Sequence, residues 1–162
     1  MPVTNVDKDF DNLTLTLVAD FDAPVERVWD LWADPRKLER WWGPPTHPAT
    51  FEVHDLSPGG EMSYFMTGPD GETHRGWWRV ESVEPPRSLA FSDGFADAEG
   101  RPIDGTPVSM AYLELRETES GTRMTLRSVF DSREQMDELM DMGAAEGIQQ
   151  AVGQMDELLV AG

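Results

Sequence analysis

The 162-residue chain contains no cysteine, which excludes a disulfide framework, a thiolate nucleophile and any Cys-ligated zinc site. That absence suits a reducing, cytoplasmic setting. Lysine is nearly missing as well. Lys8 and Lys37 are the two present, and 13 Lys and Arg stand against 31 Asp and Glu, a formal charge of -18. So acidic a protein repels phosphate backbones and anionic headgroups, so nucleic acid is not an expected partner. The acids are spread along the chain, which reads as genome composition or adaptation to a salty cytoplasm rather than one acidic binding face.

Long apolar runs are absent. No segment approaches the roughly 20 apolar residues that span a bilayer. Met1 to Leu13 has neither the basic start nor the apolar stretch of a leader. Neither a membrane span nor secretion is expected. Catalytic signatures are missing too: there is no Gly-x-Ser-x-Gly, Walker loop or dinucleotide fingerprint. His47, His54 and His74 do not fall into His-Glu-x-x-His or another close metal spacing, and read as surface or structural residues. His74, beside Arg75 near a strand start, is the best placed of the three for ligand contact. Asp93, Asp97, Glu99 and Asp104 do not follow the alternation of a calcium loop, and Asp with Gly is ordinary turn chemistry. No metal, cofactor or catalytic residue is expected, and the chain is read as a binding protein before an enzyme.

What is present is a clear succession of periodicities. Leu13, Leu15 and Leu17 alternate with Thr14 and Thr16 as a half-buried strand. Pro24 then opens a helix whose Val25, Val28, Trp29 and Trp32 form one stripe. Asp34-Pro35 starts a second, carrying Leu38, Trp41 and Trp42, and Gly43-Pro44-Pro45 stops it. From Thr50 to Phe130 the pattern is strand and turn, with turns at Ser57-Pro58-Gly59-Gly60, Pro69-Asp70-Gly71, Pro85-Pro86 and Ser120-Gly121. About seven strands result, and the short turns between them predict an antiparallel sheet. The connection from Gly94 to Pro107 is longer, as loops bordering binding sites often are.

Ser132-Arg133-Glu134-Gln135 is a capping-box signature. It predicts one long helix with a stripe of Met136, Met140, Ala144, Ile148, Val152, Met155 and Leu159. About 28 residues at 1.5 Å rise give roughly 40 Å, enough to cross a sheet. Gly143, Gly147 and Gly153 each cost about 1 kcal/mol in a helix interior. Gly143 and Gly147 share a face, and either close packing on the sheet or room for a ligand explains them. The expected fold is α+β: one domain over 1–162, with an ordered core over about 12–160, two short helices after the first strand, and a curved sheet wrapped around the C-terminal helix. Trp41, Trp42, Tyr64, Met66, His74, Trp78, Phe91, Met110, Tyr112, Met136 and Met140, with Gly143 and Gly147, are the candidates for lining an internal cavity. The alternative is that these side chains simply fill the core.

Phe21-Asp22-Ala23-Pro24 with Val28-Trp29, Asp34-Pro35 and Trp41-Trp42-Gly43-Pro44 resembles the opening of the SRPBCC superfamily. Pro58-Gly59-Gly60, Gly68-Pro69-Asp70-Gly71, Glu84-Pro85-Pro86, Gly121-Thr122-Arg123, and Gly143 with Glu146-Gly147 extend the resemblance over nearly the whole chain. The branch it is most similar to is named for an activator of a heat-shock-protein ATPase. The resemblance implies a helix-grip, START-like fold enclosing a cavity for a small hydrophobic or aromatic ligand. It also raises a chaperone-activating contact and a cyclase, aromatase or hydrolytic enzyme as alternatives, and a homodimer is compatible with it. Two positions depart from the pattern: Ser57 stands where many relatives have Arg, and Ile148 follows Gly147 where many have Trp.

Overall fold

A computed structural model describes residues 2–161. Strands β1 (Val3–Asp9), β2 (Thr14–Phe21), β3 (Ala49–His54), β4 (Glu61–Thr67), β5 (Thr73–Glu84), β6 (Ser88–Ala96), β7 (Val108–Glu117) and β8 (Thr122–Phe130) form one curved sheet in the order β1-β2-β8-β7-β6-β5-β4-β3. Every neighbouring pair is antiparallel. β3 to β8 are a simple meander, while β2 and β3 lie far apart in the sheet. Helices α1 (Val25–Ala33) and α2 (Pro35–Leu38) carry the chain between them. This is the expected helix-grip arrangement, with eight strands rather than about seven.

The additional strand is β1. Its burial alternates poorly because it is an edge strand, with most side chains exposed or half-buried, so its sequence carries no period-two signal. It is joined to β2 by a turn in which Asp9 accepts backbone N–H bonds from Asp11 at 3.2 Å and Asn12 at 3.1 Å. Leu13 completes this turn with a positive φ of 57°.

The inner face is set by alternation. Leu15, Leu17, Ala19 and Phe21 of β2 are buried, as are Ala111, Leu113 and Leu115 of β7 and Met124, Leu126 and Phe130 of β8. Trp32, Trp41, Trp42, Trp78 and Phe91 pack where α1 and α2 meet the sheet. Trp32 meets Trp41 edge-on at 4.7 Å, Trp42 meets Trp78 at 4.8 Å, and Trp78 stacks on Phe91 at 4.0 Å. Each such pair contributes about 0.5–1.5 kcal/mol beyond its buried area.

Specific bonds hold the helices to the sheet. Asp34 caps α2 by accepting from Arg36 N at 2.9 Å. Arg36 then donates to Phe51 O at 2.9 Å while Glu39 accepts from Phe51 N at 2.6 Å, so α2 clamps the edge strand β3. Thr122, fully buried, donates to Ala23 O at 2.7 Å, tying β8 to the corner before α1. Gly121 is required beside it: a Cβ there would lie 2.0 Å from Phe21 O.

The C-terminal segment is helical but not one unbroken rod. It consists of α3 (Arg133–Asp141), α4 (Ala144–Gly153) and α5 (Met155–Ala161). Gly143 interrupts it with a left-handed φ of 85°, a conformation that costs other residues about 1–2 kcal/mol. The capping box is half realised: Ser132 Oγ accepts from Gln135 N at 3.1 Å, but Gln135 Oε1 is buried without a partner. At the second break, Gln154 donates to Gly43 O at 2.7 Å and Trp41 O at 3.3 Å, fixing the helices over the loop that follows α2. Among the described residues, no helix is long and apolar enough to cross a membrane.

Candidate functional site

A cavity of about 430 Å³ lies between the inner face of β4, β5, β6 and β7 and the junction of α3 with α4. Met66, Phe95, Leu139, Ala144 and Ile148 contribute apolar wall, and Met142, 61% exposed, stands at its rim. This volume falls within the roughly 300–1,000 Å³ of small-molecule sites. Gly147 faces open space, with no atom within 4 Å of the position a Cβ would take. Its missing side chain is therefore room in the cavity, not a close contact with the sheet. Gly143, where the helical segment breaks, also lines the cavity.

The polar part of the wall is built across three strands. Tyr64 on β4 is opposite Gly76 on β5, and a Cβ on Gly76 would meet the Tyr64 hydroxyl and ring at 2.4 Å. The glycine lets the tyrosine lie across β5 towards Asp93 on β6. Asp93 is half-buried as a residue and lines the cavity. Its carboxyl group is nonetheless screened from bulk water, and that burial raises its pKa to about 7, with the Tyr64 hydroxyl offsetting part of the rise. Burial, reinforced by the Asp93 charge, holds Tyr64 well above its ordinary value, so it stays a phenol. The indole N–H groups of Trp42 and Trp78 approach the Tyr64 hydroxyl without forming a hydrogen bond to it, and both are buried without partners. Unpaired buried donors of this kind call for a water or a ligand.

Of the sequence candidates, Trp42, Tyr64, Met66, His74, Gly143 and Gly147 line this cavity. Trp41, Trp78 and Phe91 are instead packed in the aromatic core. Met136 is buried in a separate cluster with Leu15, Phe130 and Ala145, and Met140 packs against it. Met110 and Tyr112 belong to the other side of the sheet. Ala111, Leu113 and Leu115 take the inner face of β7, so alternation turns Met110 and Tyr112 outward, where Tyr112 lies under Arg127 at 4.8 Å. Asp93, Gly76 and Ser109 line the wall beyond the sequence candidates. The alternation of Leu89 and Phe91 extends to Asp93, and that of Leu113 and Leu115 extends back to Ser109, so both were legible. The role of Gly76 depends on cross-strand register and was not.

At the mouth, the fold brings together residues that are distant in sequence. His47 follows α2, Glu72 immediately precedes β5 and His74 lies near its start, with their ligand atoms all within 4.8 Å of one another. His74 Nε2 is 4.0 Å from Glu72 Oε1, and the two imidazole rings are 5.8 Å apart. Chain spacing gave no hint of this group.

The family model described as Activator of Hsp90 ATPase homolog 1-like protein matches residues 22–160. The solution structure of a protein from Arthrobacter aurescens is 51% identical, covering 99% of this chain and 93% of that one, with a TM-score of 0.94. The crystal structure of protein Ms6760 from Mycobacterium smegmatis is 49% identical, covering 98% and 97%, with a TM-score of 0.90. Protein NE0264 from Nitrosomonas europaea is 30% identical over 93% of this chain and 96% of its own, with a TM-score of 0.79. No curated protein matches the chain.

Proposed function

This chain belongs to the Activator of Hsp90 ATPase homolog 1-like family of the SRPBCC superfamily, and from that premise we propose that it binds a small, mainly apolar molecule in the cavity under its C-terminal helices. The observation that carries this reading is the group of buried polar atoms in a mainly apolar wall, Asp93, the Tyr64 hydroxyl and the unpaired Trp42 N–H, with His74, Arg75 and Ser109 also lining the cavity. Apolar walls supply affinity, and a few convergent polar groups fix orientation. The ligand is accordingly a greasy body with one oxygen-bearing group, accepting from Trp42 Nε1 and exchanging a hydrogen bond with Asp93. Ile148 in place of Trp leaves a larger space on the helical side.

Titration with the uncharged fluorophore N-phenyl-1-naphthylamine tests the reading. Saturable fluorescence enhancement, competed by apolar carboxylic acids or ketones, supports it. An unsaturable signal, equal to that of the unfolded chain, counts against it.

A second reading has one specific observation behind it. A carboxyl that titrates near neutrality beside a tyrosine hydroxyl, in a confined space, suits proton transfer to or from a bound carbonyl compound. Asp93 is the base or acid of such a reaction, and solvent deuterium exchange into a bound ketone, lost in Asp93→Asn, is its signature. Activation of a chaperone ATPase, which the family's name denotes, draws no argument from the cavity.

A further inference from the structure

We propose that His47, Glu72 and His74 form a zinc site at the mouth of the cavity. Two imidazoles and one carboxylate are a donor set that zinc takes with three protein ligands, leaving a fourth position for water or an incoming group. Their ligand atoms lie within 4.8 Å of one another. Tetrahedral bonds of about 2.0–2.2 Å need donors roughly 3.3–3.5 Å apart, so closure requires inward movement of about 1 Å. His74 is exposed and turns at little cost, Glu72 is exposed but held by Asp70 N, and His47 is half-buried.

The surroundings already support that geometry. Thr46 Oγ1 is 2.7 Å from His47 Nδ1, which orients the ring and leaves Nε2 for an ion. Glu72 Oε2 accepts from Asp70 N at 3.1 Å, so one carboxylate oxygen is anchored to the turn and Oε1 is left towards His74. The sources of the ligands matter as well. His47 comes from the loop after α2 and the other two from the β4–β5 hairpin, so an ion joins two segments that flank the opening. His74 also lines the cavity, and the open coordination position is therefore beside its entrance. The strongly negative protein favours cation capture in general, so selectivity must come from the imidazoles.

The site stands whether or not the cavity holds a ligand. The test is calorimetric titration of tag-free protein with zinc chloride, alongside His47→Ala, His74→Ala, Glu72→Gln and the control His54→Gln. The expected result is one saturable equivalent in the parent chain and the control. Loss of either imidazole weakens it by at least about tenfold, judged against the 10–100-fold effects of merely supporting residues. Cobalt(II) in place of zinc gives visible absorption bands of a four- or five-coordinate ion, which vanish in His74→Ala. Absence of saturable binding overturns the proposal, as does binding that survives both histidine substitutions, which is general attraction to acidic residues.

Discussion

Tyr64 occupies the space that a side chain on Gly76 would fill, its hydroxyl only 2.4 Å from where the Cβ would stand. Gly76→Ala must displace the ring, and in a buried site such overpacking costs about 1–3 kcal/mol. The substitution also moves the hydroxyl away from Asp93. Because Tyr64 lowers the Asp93 pKa, both Gly76→Ala and Tyr64→Phe raise it above the parent's about 7. Carboxyl carbon-13 shifts across a pH titration check this, and an unchanged midpoint contradicts it.

Asp93 gives stability an unusual pH dependence. Its folded pKa of about 7 lies above an unfolded value of about 3.9. Between the two, the folded state keeps a proton the unfolded state has lost, so this residue's effect on stability worsens from about pH 4 to about pH 7 and is level above. Asp93→Asn removes that loss. The variant and parent should unfold alike at pH 4, while at pH 8 the variant is more stable by on the order of a few kcal/mol. Denaturant curves at both values decide, and a difference that does not change with pH refutes the assignment.

The two glycines of the helical segment separate by the same kind of measurement. Gly143→Ala forces a left-handed conformation on alanine and costs about 1–2 kcal/mol. Gly147→Ala meets nothing within 4 Å and gains helix propensity, so it is neutral or stabilising by up to about 1 kcal/mol. Equal destabilisation by both would mean that Gly147 is a packing contact after all.

Thr122 tests the corner that supports the first helix. Thr122→Val leaves Ala23 O buried without its donor and should cost about 1–3 kcal/mol, read from the denaturation midpoint. Thr122→Ser keeps the bond and loses less.

Periodicity made most of the fold legible, because one face of the sheet is buried and alternation reports it directly. β1 escaped because an edge strand open to solvent on most positions has no such pattern. The helical stripe from Met136 to Leu159 was readable, but its interruption was not: in sequence Gly143 reads as a packing glycine or as room for a ligand, and its left-handed backbone is visible only in the structure. For the cavity, bulk and aromaticity were weaker guides than parity. Met110 and Tyr112 have the bulk of cavity residues, but the parity of Leu113 and Leu115 places them on the outer face. The cluster of His47, Glu72 and His74 arises from the pairing of β3, β4 and β5, a long-range relationship that no local spacing encodes.

The most direct test of a ligand-holding cavity is native mass spectrometry of gently purified parent protein beside Gly147→Phe. Gly147 lines the cavity and a Cβ there meets nothing within 4 Å, so a ring added at this position is expected to take up cavity space from the helical side. The account predicts a small molecule retained by the parent, or a saturable complex with N-phenyl-1-naphthylamine, and loss of either in an equally stable Gly147→Phe. A folded Gly147→Phe that binds as well as the parent would contradict it.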